Sequence, residues 1–244
     1  MSAENVTLVI PVYNEAENIP TLFSEIERNV GTQAEILICY DFEEDNTLPA
    51  VRQWAERFPN LRLIKNEFGS GPLGAIRSGF NAASNQAVIV TMADLSDDLS
   101  AVPAMLELFH RGCQVVAGSR YMKGGRQIGG GLIKGMMSRL AGLSLHYLVG
   151  IPTHDVTNSY RLYGKKFLDS VQIESDGGFE LGIELTVKAY LMGLKIGEVP
   201  TAWTDRTAGV SRFRLLKWLP RYFRWYWKAL VGTRFGLKRP RQHT

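Results

Sequence analysis

The chain has 244 residues, 45% of them hydrophobic and 21% charged; this is enough apolar material for one large α/β domain or two small ones, and it excludes a disordered chain. Its two cysteines, Cys39 and Cys113, stand far apart among apolar neighbours, which excludes a disulfide or zinc framework and suits a reducing compartment. The net charge of +4 is segregated: residues 211–244 hold ten Lys or Arg and no Asp or Glu, so a basic tail suited to an anionic partner follows a body with 18 basic and 24 acidic residues.

The start, Met1 to Asn5, lacks a basic stretch ahead of an apolar one, and no secretory signal is expected. Val6 to Val12 predicts a first strand, and Glu15 to Val30 a helix with apolar spacing at Ile19, Leu22, Phe23 and Ile26. Glu35 to Cys39 predicts a second strand ending at Tyr40 and Asp41, Leu48 to Phe58 a helix, and Leu61 to Lys65 a third strand. A helix from Gly74 to Ala83 and a strand from Ala87 to Met92 continue the alternation, which predicts a doubly wound, largely parallel sheet.

Between them, Gly69 to Gly74 matches Gly-x-Gly-x-x-Gly, opens a helix and precedes Asp94 by about twenty residues, the dinucleotide-binding spacing. Two strand and helix units come before it, however, whereas that fingerprint normally follows the first strand. A glycine-rich junction beside another phosphate-bearing ligand is the second reading.

The fourth apolar run, Val88 to Met92, stops abruptly in Asp94, Asp97 and Asp98. Ligands of open α/β sheets gather outside the carboxyl ends of the strands, so these acids, with Asp41 and Asp45, fall where a site is expected. Carboxylates brought together repel one another unless a cation intervenes, and hard oxygen ligands suit Mg²⁺ or Mn²⁺, which also grip substrate phosphates. Asp97 and Asp98 read equally as caps of the next helix.

Further along, Pro103 to Arg111 predicts a helix and Gln114 to Ala117 a strand, while the glycines between Lys123 and Gly131 predict a mobile loop able to close over a ligand. Helices over Ile133 to Leu148 and Leu181 to Leu191 and a strand over Lys195 to Val199 follow. The apolar stretch Leu140 to Thr153 falls short of the roughly 18 residues that a membrane span needs. Arg120, Lys123, Arg126, Lys134, Arg161, Arg206 and Arg212 recur beside glycines or at strand ends. Carboxylates with scattered cations are the pairing that a nucleotide diphosphate needs. His146 reads as a core or interface histidine, His154 has no second ligand at zinc spacing, and no nucleophile elbow is present.

In the tail, Lys217, Arg221, Arg224 and Lys228 share one helical stripe, Leu215, Leu219, Tyr222, Tyr226 and Leu230 take the opposite face, and Trp218, Trp225 and Trp227 flank them. This pattern predicts a helix in a membrane interface, held reversibly at about 1 kcal/mol per basic residue. The other reading is an aromatic helix packed on the body or on a partner subunit.

These features together resemble the family-2 glycosyltransferases, and among them the dolichol-phosphate or polyprenyl-phosphate mannose synthase-like branch. The resemblance rests on Val9-Ile10-Pro11-Val12-Tyr13-Asn14-Glu15, on Asp41 to Thr47, on Gly74-Ala75-Ile76-Arg77-Ser78-Gly79 and on Ala93-Asp94-Leu95-Ser96. It continues through Gly118-Ser119-Arg120-Tyr121, Asp155 to Tyr163, Glu198-Val199-Pro200, Asp205-Arg206 and Gly209 to Arg212. It implies a GT-A fold over residues 1–212, with 213–244 as a basic aromatic tail that contacts a membrane interface or a partner. It further implies a nucleoside pocket lined by Pro11, Tyr13, Glu15 and Asp41, and a metal held by Asp94. Arg120, Lys134, Arg206 and Arg212 would contact phosphates of donor or acceptor. Three residues depart from the family pattern: Met92 stands where Asp-Ala-Asp has its first acid, Tyr40 where an acid often precedes Asp41, and Lys134 where arginine is common. Asp97 or Asp98 would then complete a Mg²⁺ or Mn²⁺ site, or the cations alone would neutralise the diphosphate.

The expected activity is inverting transfer of a sugar from GDP-mannose or a UDP-sugar to a polyprenyl or dolichyl phosphate at the cytoplasmic membrane face, with Asp94, Arg120 and Arg206 at its centre. The peripheral membrane contact is assigned to the tail helix, and no nucleic acid is expected. One alternative is transfer to a glycan or glycolipid hydroxyl, with Asp155 or Glu184 as base. Another, from a different class, is a catalytically silent membrane-associated scaffold.

Overall fold

A computed structural model describes residues 5–178, 180–205 and 215–234, with the backbone alone at 132–134, 215–219, 233 and 234. Seven strands form the main sheet: β1 (Val6–Pro11), β2 (Glu35–Tyr40), β3 (Leu61–Lys65), β4 (Ala87–Val90), β5 (Val115–Ser119), β7 (Arg161–Gly164) and β8 (Ile196–Pro200), in the order β3-β2-β1-β4-β7-β5-β8. β6 (Arg126–Ile128) and β9 (Ala202–Thr204) pair parallel as a separate ribbon. The glycine-flanked segment read from the sequence as a mobile loop is therefore partly a hydrogen-bonded strand, because the chain after β8 runs back alongside it.

β1, β2 and β4 are buried along their whole length, as continuous apolar runs in a sheet covered on both faces should be. Their side chains alternate between two cores. Leu8, Ile10, Ile36 and Ile89 meet α1 (Ile19–Asn29), α2 (Thr47–Arg52) and α4 (Val102–His110) on one face. Val9, Leu37, Val88 and Val90 meet α3 (Pro72–Ala82), α6 (Lys165–Ser170) and α7 (Leu181–Leu191) on the other. A third cluster joins the back of α7 to α5 (Leu132–Val149) and α8 (Leu215–Arg234) through Leu145, Val149, Ile183, Val187, Trp225 and Ala229. α7 is thus covered on two sides, which explains why nearly every residue in it is buried.

Two topological facts place the site. The order reverses at β1, whose neighbours β2 and β4 are both parallel to it, so the loops leaving β1 and β4 diverge and open a crevice at the carboxyl edge. β7 runs antiparallel between β4 and β5, so the residues entering β7 lie at the edge where β4 and β5 end. β7 and α6 are absent from the sequence reading. At four residues and with an arginine at its start, β7 carries too short a pattern to show a period.

Candidate active site at the carboxyl edge of the sheet

The turn after β1 is held from the next loop. Asn14 sits in the left-handed region (φ 54°), and its backbone N–H donates to both carboxylate oxygens of the buried Asp45, at 3.1 and 3.2 Å. The Glu15 N–H donates to Thr47 Oγ1 at 2.9 Å. Asp45 is thereby a clamp of the Pro11 to Glu15 segment rather than a member of an open acidic cluster. Pro11 ends β1, Tyr13 stands exposed with its ring edge-on to Phe42 at 5.5 Å, and Glu15 accepts from Asn18 Nδ2 at 2.6 Å.

Asp41, just beyond β2, accepts from Asn66 Nδ2 at 2.6 Å and from the Gly71 N–H at 2.8 Å, which ties the glycine-rich loop to the same edge. Gly69 and Gly71 have φ of 92° and 110°, and a Cβ at Gly74 would lie 1.9 Å from the Gly69 carbonyl oxygen. The loop therefore needs glycine to turn into α3. Since it follows the edge strand β3, it borders the pocket instead of sitting at the switch point, where a dinucleotide fingerprint belongs.

Beyond β4 the three acids separate. Asp98 Oδ1 accepts from the Ser100 N–H and Oγ, capping the turn before α4, as one sequence reading held. Asp97 is no such cap: its Oδ2 accepts from Thr91 Oγ1 at 3.1 Å and from the Met92 N–H at 3.0 Å, bracing the end of the strand. Burial first, and then repulsion by Asp94, push the Asp97 carboxyl up to about 7 despite these bonds. Asp94 follows in a turn with Leu95 at φ 60° and accepts from the Ser96 N–H at 3.1 Å. Two neighbouring carboxylates set in a crevice are a donor set that fits a divalent cation completed by substrate phosphates. Among the described residues no group of three or more His, Cys, Asp or Glu that could hold a metal ion forms.

Arg120, directly after β5, is the best-fixed cation. Its Nε and Nη2 form a fork on Asp155 at 2.7 and 3.0 Å, and Nη2 also donates to Ser138 Oγ at 3.1 Å and Thr157 Oγ1 at 2.9 Å. Asp155 further accepts from the Arg120, Thr157 and Asn158 N–H groups. Burial alone would raise its pKa, but the charge and bonds of Arg120 outweigh that and hold the carboxyl below its ordinary value; Arg120 is raised in return. Ser138 and Thr157 were not picked out from the sequence. The signal for Thr157 is the Asp-Val-Thr-Asn run at 155–158, which reads as a turn, and Ser138 inside α5 has no local signal.

Several sequence-derived assignments change. Arg161 is fully buried, donating to the carbonyls of Asn158 and Asp155 and to Thr186 Oγ1, so it pins α7 to the sheet and does not face the crevice. Glu184 is sealed inside α7, where it accepts from Glu174 N–H, Ser175 and Lys188. Neither it nor the charge-locked Asp155 is at liberty to act as a base. His154 Nδ1 lies 2.5 Å from Glu198 Oε1, and the ring stacks on His146 with centroids 4.0 Å apart. Lys134 belongs to α5, its side chain lying outside the described residues, as do Arg206 and Arg212 altogether. The buried thiols of Cys39 and Cys113 are free, as expected.

Comparison with known proteins adds family and fold. The model of "Glycosyl transferase family 2" matches residues 7–171. A dolichol-phosphate mannosyltransferase of Pyrococcus furiosus is 26% identical over 231 residues, covering 87% of this chain, which spans 64% of that relative's length. A polyprenol monophosphomannose synthase of Mycolicibacterium smegmatis is 28% identical over 215 residues, covering 86% of this chain and 81% of the relative. Among solved structures, glucosyl-3-phosphoglycerate synthase from Mycobacterium tuberculosis with Mn²⁺, UDP and phosphoglyceric acid superposes with a TM-score of 0.65 at 19% identity, over 94% of this chain and 78% of that one. A mannosyltransferase from Pyrobaculum calidifontis with GDP-Man and Mn²⁺ superposes with a TM-score of 0.65 at 18% identity, over 97% and 66%. The fold is GT-A.

Proposed function

The chain belongs to glycosyl transferase family 2 and is a glycosyltransferase, and from that premise we propose that it moves a sugar, with inversion, from a nucleotide diphosphate donor to a polyprenyl phosphate at the cytoplasmic face of a membrane. The observation that carries this reading is the sheet edge itself. Asp94 and Asp97 stand at the end of β4 and the Asp155-anchored Arg120 at the end of β5, while both side chains considered as bases are engaged elsewhere. An acceptor phosphate, with a second pKa near 6, is already anionic at neutral pH and needs no base from the protein. A hydroxyl acceptor would need one. The relatives named as acting on dolichol phosphate and polyprenol support the same acceptor class, and mannose is the sugar that both names carry.

In this reading Pro11, Tyr13, Glu15 and Asp41 line the nucleoside pocket, on a turn that Asp45 holds rigid. Asp94, with Asp97 beside it, holds Mg²⁺ or Mn²⁺, and the fold neighbours solved with Mn²⁺ support a divalent ion. When bound, the metal neutralises charge on the donor diphosphate. Arg120, which Asp155 orients, stabilises the departing diphosphate, joined by Lys134, Arg206 and Arg212. Positioning of donor and acceptor supplies the rest of the rate.

The test is Asp94→Asn. Transfer to polyprenyl phosphate is expected to vanish while the thermal melt stays that of the wild type, because the Ser96 N–H keeps an oxygen acceptor. Full activity in this variant would remove Asp94 from the mechanism.

A further inference from the structure

We propose that Glu198 is a positioning residue for Arg120, acting through the 153–155 turn that carries Asp155; this deepens the reading above, in which Arg120 stabilises the departing diphosphate, and rests on it. Three donors of that turn converge on the one carboxylate. Glu198 Oε2 accepts from the His154 N–H at 2.8 Å and from Thr153 Oγ1 at 3.1 Å, and Oε1 lies 2.5 Å from His154 Nδ1. Thr153 Oγ1 accepts in turn from the Asp155 N–H at 3.1 Å, so a hydrogen-bonded path runs from Glu198 through Thr153 and Asp155 to the Arg120 guanidinium. Thr153 and Asp155 are fully buried and the Glu198 side chain is 12% exposed, a low-dielectric setting in which such bonds are stronger than in water.

The topology closes this path into a frame. Arg120 follows β5 directly, and β8 pairs parallel with β5 in a register that sets Glu198 opposite Ala117. The strand that delivers the guanidinium and the side chain that holds its anchor are therefore fixed neighbours, which sets the distance across the fork. α5 closes the turn in from another side: a Cβ at Gly142 would meet the His154 carbonyl oxygen at 2.1 Å, and the His154 ring stacks on His146, whose Nδ1 lies 2.8 Å from the Ile151 carbonyl oxygen.

A plain loop cap would need one acceptor for one backbone N–H. Glu198 also grips the side chains of both residues ahead of Asp155, which gives the acid of the Glu198-Val199-Pro200 motif a task that the reaction itself does not supply. Stabilising a departing diphosphate depends on a donor that already stands where the charge develops, and displacements of about 1 Å are costly.

Proton exchange at Arg120 Nε and a double-mutant cycle test the proposal on the full chain. The Nε–H, bonded to a buried carboxylate at 2.7 Å, is expected to exchange slowly with solvent, and its resonance in isotope-labelled protein is assigned by its loss in Arg120→Lys. In Glu198→Ala that exchange should quicken by about tenfold or more at a temperature well below the melt. Glu198→Gln, which keeps the volume and one acceptor oxygen, should show a smaller change and carries the same comparison if Glu198→Ala does not fold. For transfer to polyprenyl phosphate from the donor that the wild type uses, kcat should fall about tenfold in Glu198→Ala with the donor KM nearly unchanged. In the Arg120→Lys background the same substitution should cost less than about twofold, because a residue that acts through Arg120 then has nothing to position. A wild-type Nε–H that exchanges freely, exchange unchanged in both Glu198 variants, or kcat losses that stay additive would each overturn the proposal. Absence of transfer in the wild type, or wild-type kcat in Arg120→Lys, would strike the reading of the reaction instead, and the exchange rate alone would then decide for or against Glu198.

Discussion

Arg120 and Asp155 are 35 residues apart, yet they make a fork of two hydrogen bonds whose oxygens also receive three backbone N–H groups. Asp155 is fully buried and the Arg120 side chain is 10% exposed, so removing either charge leaves the other stranded. Asp155→Asn should cost about 3 to 5 kcal/mol of stability, visible as a lowered Tm. Arg120→Lys keeps a charge but cannot make the fork, and a fall of about 100-fold in kcat with a small change in Tm is expected if Arg120 acts on the diphosphate. Equal loss of activity and stability in both variants would mean that the pair is structural only. Because the folded Asp155 carboxyl lies below its unfolded value of 3.8, its contribution is complete above that value and is lost as pH falls through the folded one. The sequence marked Arg120 and Asp94, since each stands in a motif at a strand end. The anchor of Arg120 was hidden, because the pairing arises from β7 entering antiparallel where β5 leaves, and no local pattern records a long-range pairing of that kind.

At the scale of elements, α8 is the instructive case. Its spacing announced a helix with a basic stripe and an apolar face, and the sequence left open whether that helix meets lipid, partner or body. Over the described residues it meets the body through Trp225 and Ala229, and its cations face Glu174 and Asp176. That the 174–180 segment would supply the opposing acids was not legible, because it has neither helical nor strand period. The Glu174 carboxyl is lowered to about 2 by the hydrogen bonds of Lys228 and Lys188. A lowered acid stabilises the folded form above its unfolded value of 4.5, and that stabilisation disappears as pH falls toward about 2. Lys228 lies over the Trp225 ring at 4.2 Å, so tryptophan emission should report loosening of α8 in this acid window. Glu174→Gln should show the loosened signal already at neutral pH and no acid step, and an unchanged step would place the titration elsewhere. Trp225→Ala should lower stability by about 3 to 5 kcal/mol through the cavity it leaves between α7 and α8.

For the whole molecule, the alternation of strands and helices foretold a doubly wound sheet, and the switch between β2-β1 and β4 puts the acids where such sheets bind ligands. The family was legible in ordered motifs, and the chain belongs to it. Substrate identity is less legible, since exchanging guanine for uracil or mannose for glucose needs only a few side chains around the same frame. For acceptor class, the proposal of a phosphate acceptor draws on the two candidate bases, Asp155 and Glu184, both being engaged within the protein. The most direct test is transfer of labelled sugar from a panel of GDP- and UDP-sugars to polyprenyl phosphate in anionic vesicles, with Mn²⁺ and with chelator. The account predicts one donor that yields an acid-labile lipid product and loses its activity on chelation. An acid-stable glycoside, or no lipid labelling from any donor, would contradict it.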